Sequence, residues 1–229
     1  MANSQSKFYG FLALIVVAGA ALIGYVVVSN RGEANSGEVD AVALQNLLNS
    51  GSVEQLAVVR GADDAPVTIE EFADYLCGYC GMVATLSVPQ VLENYVDTGK
   101  ARFVFYDYVI NPPAKIAAQA ARCAGDQNAF WPLHKVLMSR QREWSTARNP
   151  LGTIREYADG LGLDGAVIEA CVENGTHLDV VMASTQHAQQ RGLNSTPVFF
   201  INDRPFAGAM GYDRIAGIIE EELARSQSQ

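Results

Sequence analysis

The 229 residues predict an α/β fold that carries a block of helices between two groups of strands and follows an N-terminal transmembrane helix. Three observations lead there. Phe8 to Val28 is an unbroken apolar run without charge. Short β-branched and aromatic segments near 67–72, 102–109 and 198–206 read as strands, and the roughly eighty residues between the second and third show only helical signals. Finally, Cys77-Gly78-Tyr79-Cys80 stands where the first of these strands hands over to a helix.

The twenty-one residues from Phe8 to Val28, at about 1.5 Å rise each, suffice for a hydrocarbon core of roughly 30 Å. A cleavable signal peptide is the competing reading, because Ala18-Gly19-Ala20 resembles a cleavage site. Signal cores are shorter, about 7–15 residues, and this run continues through Val26-Val27-Val28, so 1–30 is expected to be a signal-anchor. Lys7 before the run argues for an N-terminus inside and a single-pass protein whose remainder lies outside the cytoplasm. That remainder carries 15 basic against 25 acidic residues once Lys7 is set aside. Such a balance argues against nucleic acid or an anionic membrane surface as partner.

Residues 31–60 read as a small-polar linker (Gly32 to Glu38), a short amphipathic helix (Val39 to Leu48) and a strand (Val53 to Val59). Residues 61–112 and 192–229 form the expected core, with 113–191 as an inserted helical subdomain. The core opens with a strand, Val67 to Phe72, followed by a helix of about twenty residues that ends near Gly99 and is kinked at Pro89. Arg102 to Val109 is the second strand, parallel to the first by the right-handed βαβ rule. Ala114–Ala124 and Trp131–Glu143 are helical, and Asn149-Pro150 and the glycines at 160, 162 and 165 divide the rest of the insert. The sheet resumes at Val198–Ile201, turns at Asn202-Asp203 and continues through Phe206 before a last helix, Asp213 to Arg225.

A thiolate at a helix start gains from the free amides and the dipole there. Cys77 is therefore the expected attacking and leaving sulfur, and Cys80, one turn further in, the resolving thiol. A static disulfide or half a zinc site is the alternative. Zinc needs four ligands, usually from two such pairs, and Cys123 and Cys171 are isolated singles, so no metal and no cofactor is expected. His134, His177 and His187 do not stand at metal-ligand spacing near the cysteines, and His134 reads as packed or exposed rather than catalytic. Glu71 shares strand parity with Val67 and Ile69 and so points to an apolar face. There a raised pKa would let it relay the proton of Cys80. Glu70 reads as solvated. Pro197, opening a strand in Ser195-Thr196-Pro197-Val198, would by itself only mark a strand edge.

Taken together, Ala65-Pro66-Val67-Thr68-Ile69, Glu71-Phe72-Ala73-Asp74-Tyr75, Cys77-Gly78-Tyr79-Cys80, Cys123-Ala124-Gly125-Asp126-Gln127 with Phe130-Trp131, and Thr196-Pro197 resemble the DsbA-like branch of the thioredoxin fold. The likeness runs from about Ala65 to the C-terminus. It implies a thioredoxin-like core with a helical insert, a Cys77–Cys80 disulfide that is redox-active, and an acid at Glu71. It also implies a cis-proline at Pro197 facing the cysteines, with Thr196 binding an extended substrate segment. Some relatives carry a second, structural disulfide, and a Cys123–Cys171 bridge is the expectation over two buried free thiols in an oxidising compartment.

The resemblance further implies exported cysteine-containing proteins as substrates and a membrane redox partner, either DsbB-like or a reductant donor. The expected location is the inner membrane, with the catalytic domain facing the periplasm or cell exterior. Gly78-Tyr79 departs from the Pro-His of the strongest oxidant, which leaves the direction of electron flow open. An oxidase is the first expectation and a reductase or isomerase the second. A tethered peptide-binding or chaperone module is the reading from another class.

Overall fold

The computed structural model describes residues 41–50 and 52–228. The membrane-spanning helix expected over Phe8–Val28 and the linker Gly32–Glu38 lie outside them. Among the described residues no helix is long and apolar enough to cross a membrane.

A five-stranded sheet organises the chain. Its strands are β1 (Val58–Arg60), β2 (Val67–Ala73), β3 (Ala101–Asp107), β4 (Val198–Ile201) and β5 (Arg204–Ala207), in spatial order β1-β3-β2-β4-β5. Only β2 and β3 are parallel, pairing Val67 with Ala101 through Ala73 with Asp107. The other three pairs are antiparallel. Asn202, in the β4–β5 turn at φ 50, exchanges hydrogen bonds with Thr68 (2.8 and 2.9 Å) and so ties the turn to the start of β2.

Alternation along the strands divides the core into two layers. Val67, Ile69, Phe103, Phe105, Phe199 and Ile201 face one layer. It contains α3 (Gly78–Leu86), α4 (Val88–Val91), α5 (Ala114–Gly125), α6 (Phe130–Ser139) and α11 (Tyr212–Ser226). Phe72, Val104, Tyr106 and Val198 face the other, packed by α1 (Ala41–Ser50), α2 (Val53–Leu56) and α10 (Leu178–Gln190). Three further helices complete the block between β3 and β4: α7 (Gln141–Ser145), α8 (Pro150–Gly160) and α9 (Gly165–Glu173).

Three local expectations are corrected. The segment 53–59 is not one strand. Val53–Leu56 makes a helical turn and only Val58–Arg60 pairs with β3, while the Leu56 carbonyl accepts from Arg122 Nη2 at 2.7 Å. The helix after the cysteines is broken rather than merely kinked: α3 stops at Leu86, α4 starts at Val88, and a wider turn follows over Leu92–Val96. Pro89 has no N–H and its ring would strike the carbonyl four residues back, so it is accommodated only in the first turn of a new helix. Glu70 is only partly exposed and is ion-paired rather than simply solvated. Its strand face is covered by α10, and its carboxylate accepts from Arg191 Nη1 at 2.8 Å.

Candidate active site

β2 delivers the chain to the site through Asp74-Tyr75-Leu76. Asp74 is buried, and its carboxylate accepts the amides of Leu76 (2.6 Å), Ile110 and Asn111 (both 2.7 Å). Its carbonyl accepts the amide of Cys77 at 3.1 Å. One side chain thus clamps the loop before the cysteines to the segment after β3. Nothing in the sequence alone gives Asp74 this task. An acid directly after an apolar strand was the signal available.

Cys77 caps α3 in an extended conformation, and its sulfur accepts from the Cys80 amide at 3.4 Å. The Cys77 carbonyl accepts from the Gly81 amide at 3.0 Å and from Gln141 Nε2 of α7 at 2.9 Å, so the insert holds the helix start from outside. Gly81 makes that approach possible: a Cβ there would lie 2.8 Å from the Met138 carbonyl oxygen. Neither Gln141 nor Gly81 stands out in the sequence, because their role depends on how the insert docks.

The structure brings Thr196 and Pro197 to these cysteines across more than a hundred residues. The Thr196–Pro197 peptide bond is cis, and the Cys77 thiol donates to the Thr196 carbonyl at 3.4 Å. Both Cys77 and Cys80 are free thiols. The Cys77 thiol is lowered to about 5, chiefly by hydrogen bonding with the Cys80 side chain. Burial opposes this, while the Thr196 side chain and the amides of Cys80 and Tyr79 assist. Tyr79 therefore acts through its backbone; its side chain is 67% exposed. Cys80 is fully buried, and burial followed by its bond to Cys77 pushes its thiol far up.

Glu71 lies on the layer beneath α3, 1% exposed, with Oε2 lacking any hydrogen-bond partner. Burial, then the charge of Cys77, raises it to about 8. Next to it in the core, Tyr75 Oη and His134 Nδ1 are 2.8 Å apart. Burial lowers His134 to about 3, so this imidazole is a neutral member of an aromatic cluster with Phe105 and Phe130. Cys123 and Cys171 lie elsewhere, joined in a disulfide between α5 and α9. On the outer surface of α3, Tyr79, Met82 and Leu86 form an exposed apolar stripe beside the cysteines.

A low-pKa thiol at a helix start, a buried partner thiol and a buried acid are a constellation for thiol–disulfide exchange, and comparison with known proteins agrees. The thioredoxin family model matches residues 54–221. Disulfide bond formation protein D of Bacillus subtilis is 27% identical over 172 residues, which are 72% of this chain and 76% of that protein. Na(+)/H(+) antiporter NhaA 1 of Salinispora arenicola is 31% identical over 169 residues, 72% of this chain but 24% of the antiporter. The chain thus spans about a quarter of that relative's length. Among solved structures, oxidised BdbD from Bacillus subtilis superposes with a TM-score of 0.67 at 25% identity, covering 76% of this chain and 95% of BdbD. Wolbachia pipientis alpha-DsbA1 shares the fold, with a TM-score of 0.68 at 19% identity over 75% of this chain and 93% of its own. The chain belongs to the thioredoxin family and is similar to its DsbA-like members.

Proposed function

We propose that the chain is an extracytoplasmic thiol:disulfide oxidoreductase working as an oxidase, with a Cys77–Cys80 disulfide that it passes to exported proteins. The observation that carries this reading is the split between the two thiols, Cys77 held near 5 and Cys80 pushed far up. A stabilised Cys77 thiolate favours the reduced pair and so makes the disulfide a better oxidant.

In the oxidising direction a substrate thiolate attacks Cys77 Sγ, and the Cys77–Cys80 bond breaks. Cys80 leaves with the electron pair into a dry site and takes a proton from Glu71, which is protonated at neutral pH. A second substrate thiolate then attacks the substrate sulfur of the mixed disulfide, and Cys77 departs as the stabilised thiolate. Thr196 and Pro197 line the approach to Cys77 and present backbone to an extended segment. A DsbB-like membrane partner removes the two electrons, and the Phe8–Val28 segment keeps the domain near it.

The oxidase reading rests on the low Cys77 value, whereas a reductase or isomerase kept reduced by a membrane donor would use the same residues. The exposed stripe Tyr79, Met82 and Leu86 favours a second reading, a surface that holds unfolded chains without redox chemistry. A Cys80→Ala variant tests the proposal in cells, because a mixed disulfide on Cys77 then has no resolving thiol. Covalent complexes with exported cysteine-containing proteins are expected, and none with Cys77→Ser. Full activity of Cys77→Ser would leave only the chain-binding reading.

A further inference from the structure

We propose that the helical insert contains a zinc site that exists only when the Cys123–Cys171 bridge is open. The sequence leaves these cysteines as isolated singles, but the fold adds a third group to them. His177, just before α10, brings a ring nitrogen within 4.8 Å of both sulfurs. Two thiolates and an imidazole form a ligand set suited to zinc.

The three ligand atoms already lie within 4.8 Å of one another, and in a tetrahedral site with Zn–S of about 2.3 Å two sulfurs stand roughly 3.8 Å apart. A second observation points to a metal. His177 Nε2 lies 2.8 Å from Asp126 Oδ2, and metal-binding imidazoles are ordinarily oriented by such a carboxylate on the other nitrogen. Nδ1 is then the ligand atom. Cys171 and His177 are only part-buried, so an ion and a fourth ligand, water, have access.

The chemistry balances through a dithiol reductant. It delivers two electrons and leaves as a disulfide, while the Cys123–Cys171 bond breaks and each sulfur takes a proton. Zinc binding releases both protons and changes no oxidation state. Loss of two electrons to an acceptor disulfide re-forms the bridge and ejects the ion. The metal thereby ties together the ends of α5, α9 and α10 whenever reduction has removed the covalent tie.

The test uses the full chain with Cys77→Ser and Cys80→Ser, so that no other thiol contributes. After reduction with a phosphine under anaerobic conditions, Co²⁺ is titrated in and then displaced by Zn²⁺. One equivalent of Co²⁺ should give thiolate-to-cobalt charge-transfer bands and the visible bands of a tetrahedral site, and the oxidised protein should give neither. Asp126→Asn should weaken binding about 10–100-fold, and His177→Ala at least as much. Absence of the charge-transfer bands, or unchanged affinity in His177→Ala, overturns the proposal. Should reduction unfold the insert, circular dichroism decides. Zn²⁺ restoring helix supports the site, and cobalt bands without regained helix overturn it.

Discussion

Cys77 and Cys80 stand one helical turn apart, yet their surroundings push them in opposite directions. Cys77 collects hydrogen bonds at the open start of α3, and Cys80 sits where no water reaches. Thiolate absorbance of the reduced protein should therefore show one group titrating near pH 5 and no second one below pH 9; a first midpoint near the ordinary thiol value of about 8.5 contradicts the site geometry. Glu71 has a signature of its own. Its folded pKa of about 8 exceeds the ordinary value of 4.5, so between those pH values the folded state holds a proton that the unfolded state has released. The contribution of Glu71 to stability then falls as pH rises through that window, by about 1.4 kcal/mol per pH unit at most, while the lowered Cys77 thiol of the reduced protein contributes in the opposite sense above pH 5. Glu71→Gln should remove this loss, leaving a variant that is more stable than the parent at pH 8 and similar to it at pH 4, as chemical denaturation will show. The same variant should slow release or attack of Cys80 by about 10²-fold or more. Glu71 was legible because strand parity aims it at an apolar face. The pairing of Glu70 is not announced locally, because it depends on α10 covering the opposite face and on Arg191 directly after that helix.

Among the elements, α3 is the most dependent on distant neighbours. Its start is fixed by Asp74 from β2's end, by Gln141 from α7, and by the absence of a side chain at Gly81. Gly81→Ala gains helix propensity but must push α3 away from the Met138 carbonyl. A net destabilisation of about 1–3 kcal/mol is expected, with a Cys77 pKa moved upward as the helix start shifts. Asp74→Ala strips three amides of their acceptor and should destabilise by about 3 kcal/mol. A fall below 1 kcal/mol in either variant, measured by urea unfolding, contradicts this account. The strands follow from their β-branched and aromatic composition, which is local, and the parallel β2–β3 pairing from the right-handed crossover rule. The break at Ser87 was harder to place. Pro89 announces an interruption, but whether a helix kinks or restarts depends on partners such as the Met210 carbonyl, which accepts from Ser87 Oγ at 2.9 Å. Likewise the turn of helix before β1 depends on Arg122 reaching Leu56 from α5.

At the scale of the whole molecule, the sheet and the helical insert share one apolar core, crossed by a few polar links. Arg122 of α5 pairs with buried Asp107 at the end of β3 at 2.6 Å, and the Cys123–Cys171 bridge closes a separation of 48 residues within the insert. Replacing both of those cysteines by alanine should lower stability by about 4 kcal/mol on the chain-entropy model while leaving the Cys77 titration in place. Thermal unfolding of the variant with no change from the parent would contradict a structural role. Charge and composition said only that the chain beyond the N-terminal apolar run is acidic, and the helix-rich middle was legible as an insert because two strand groups flank it. How the insert grips α3 was not legible, since that grip joins residues more than fifty apart. In the proposed function, this grip and the helix start together make an oxidising Cys77–Cys80 couple. Equilibration in glutathione buffers measures that couple directly. A Cys77 value near 5 lies between those of DsbA and thioredoxin, whose potentials are about −120 and −270 mV. A two-electron potential between about −120 and −200 mV is the predicted result, and one at about −270 mV or below would contradict it.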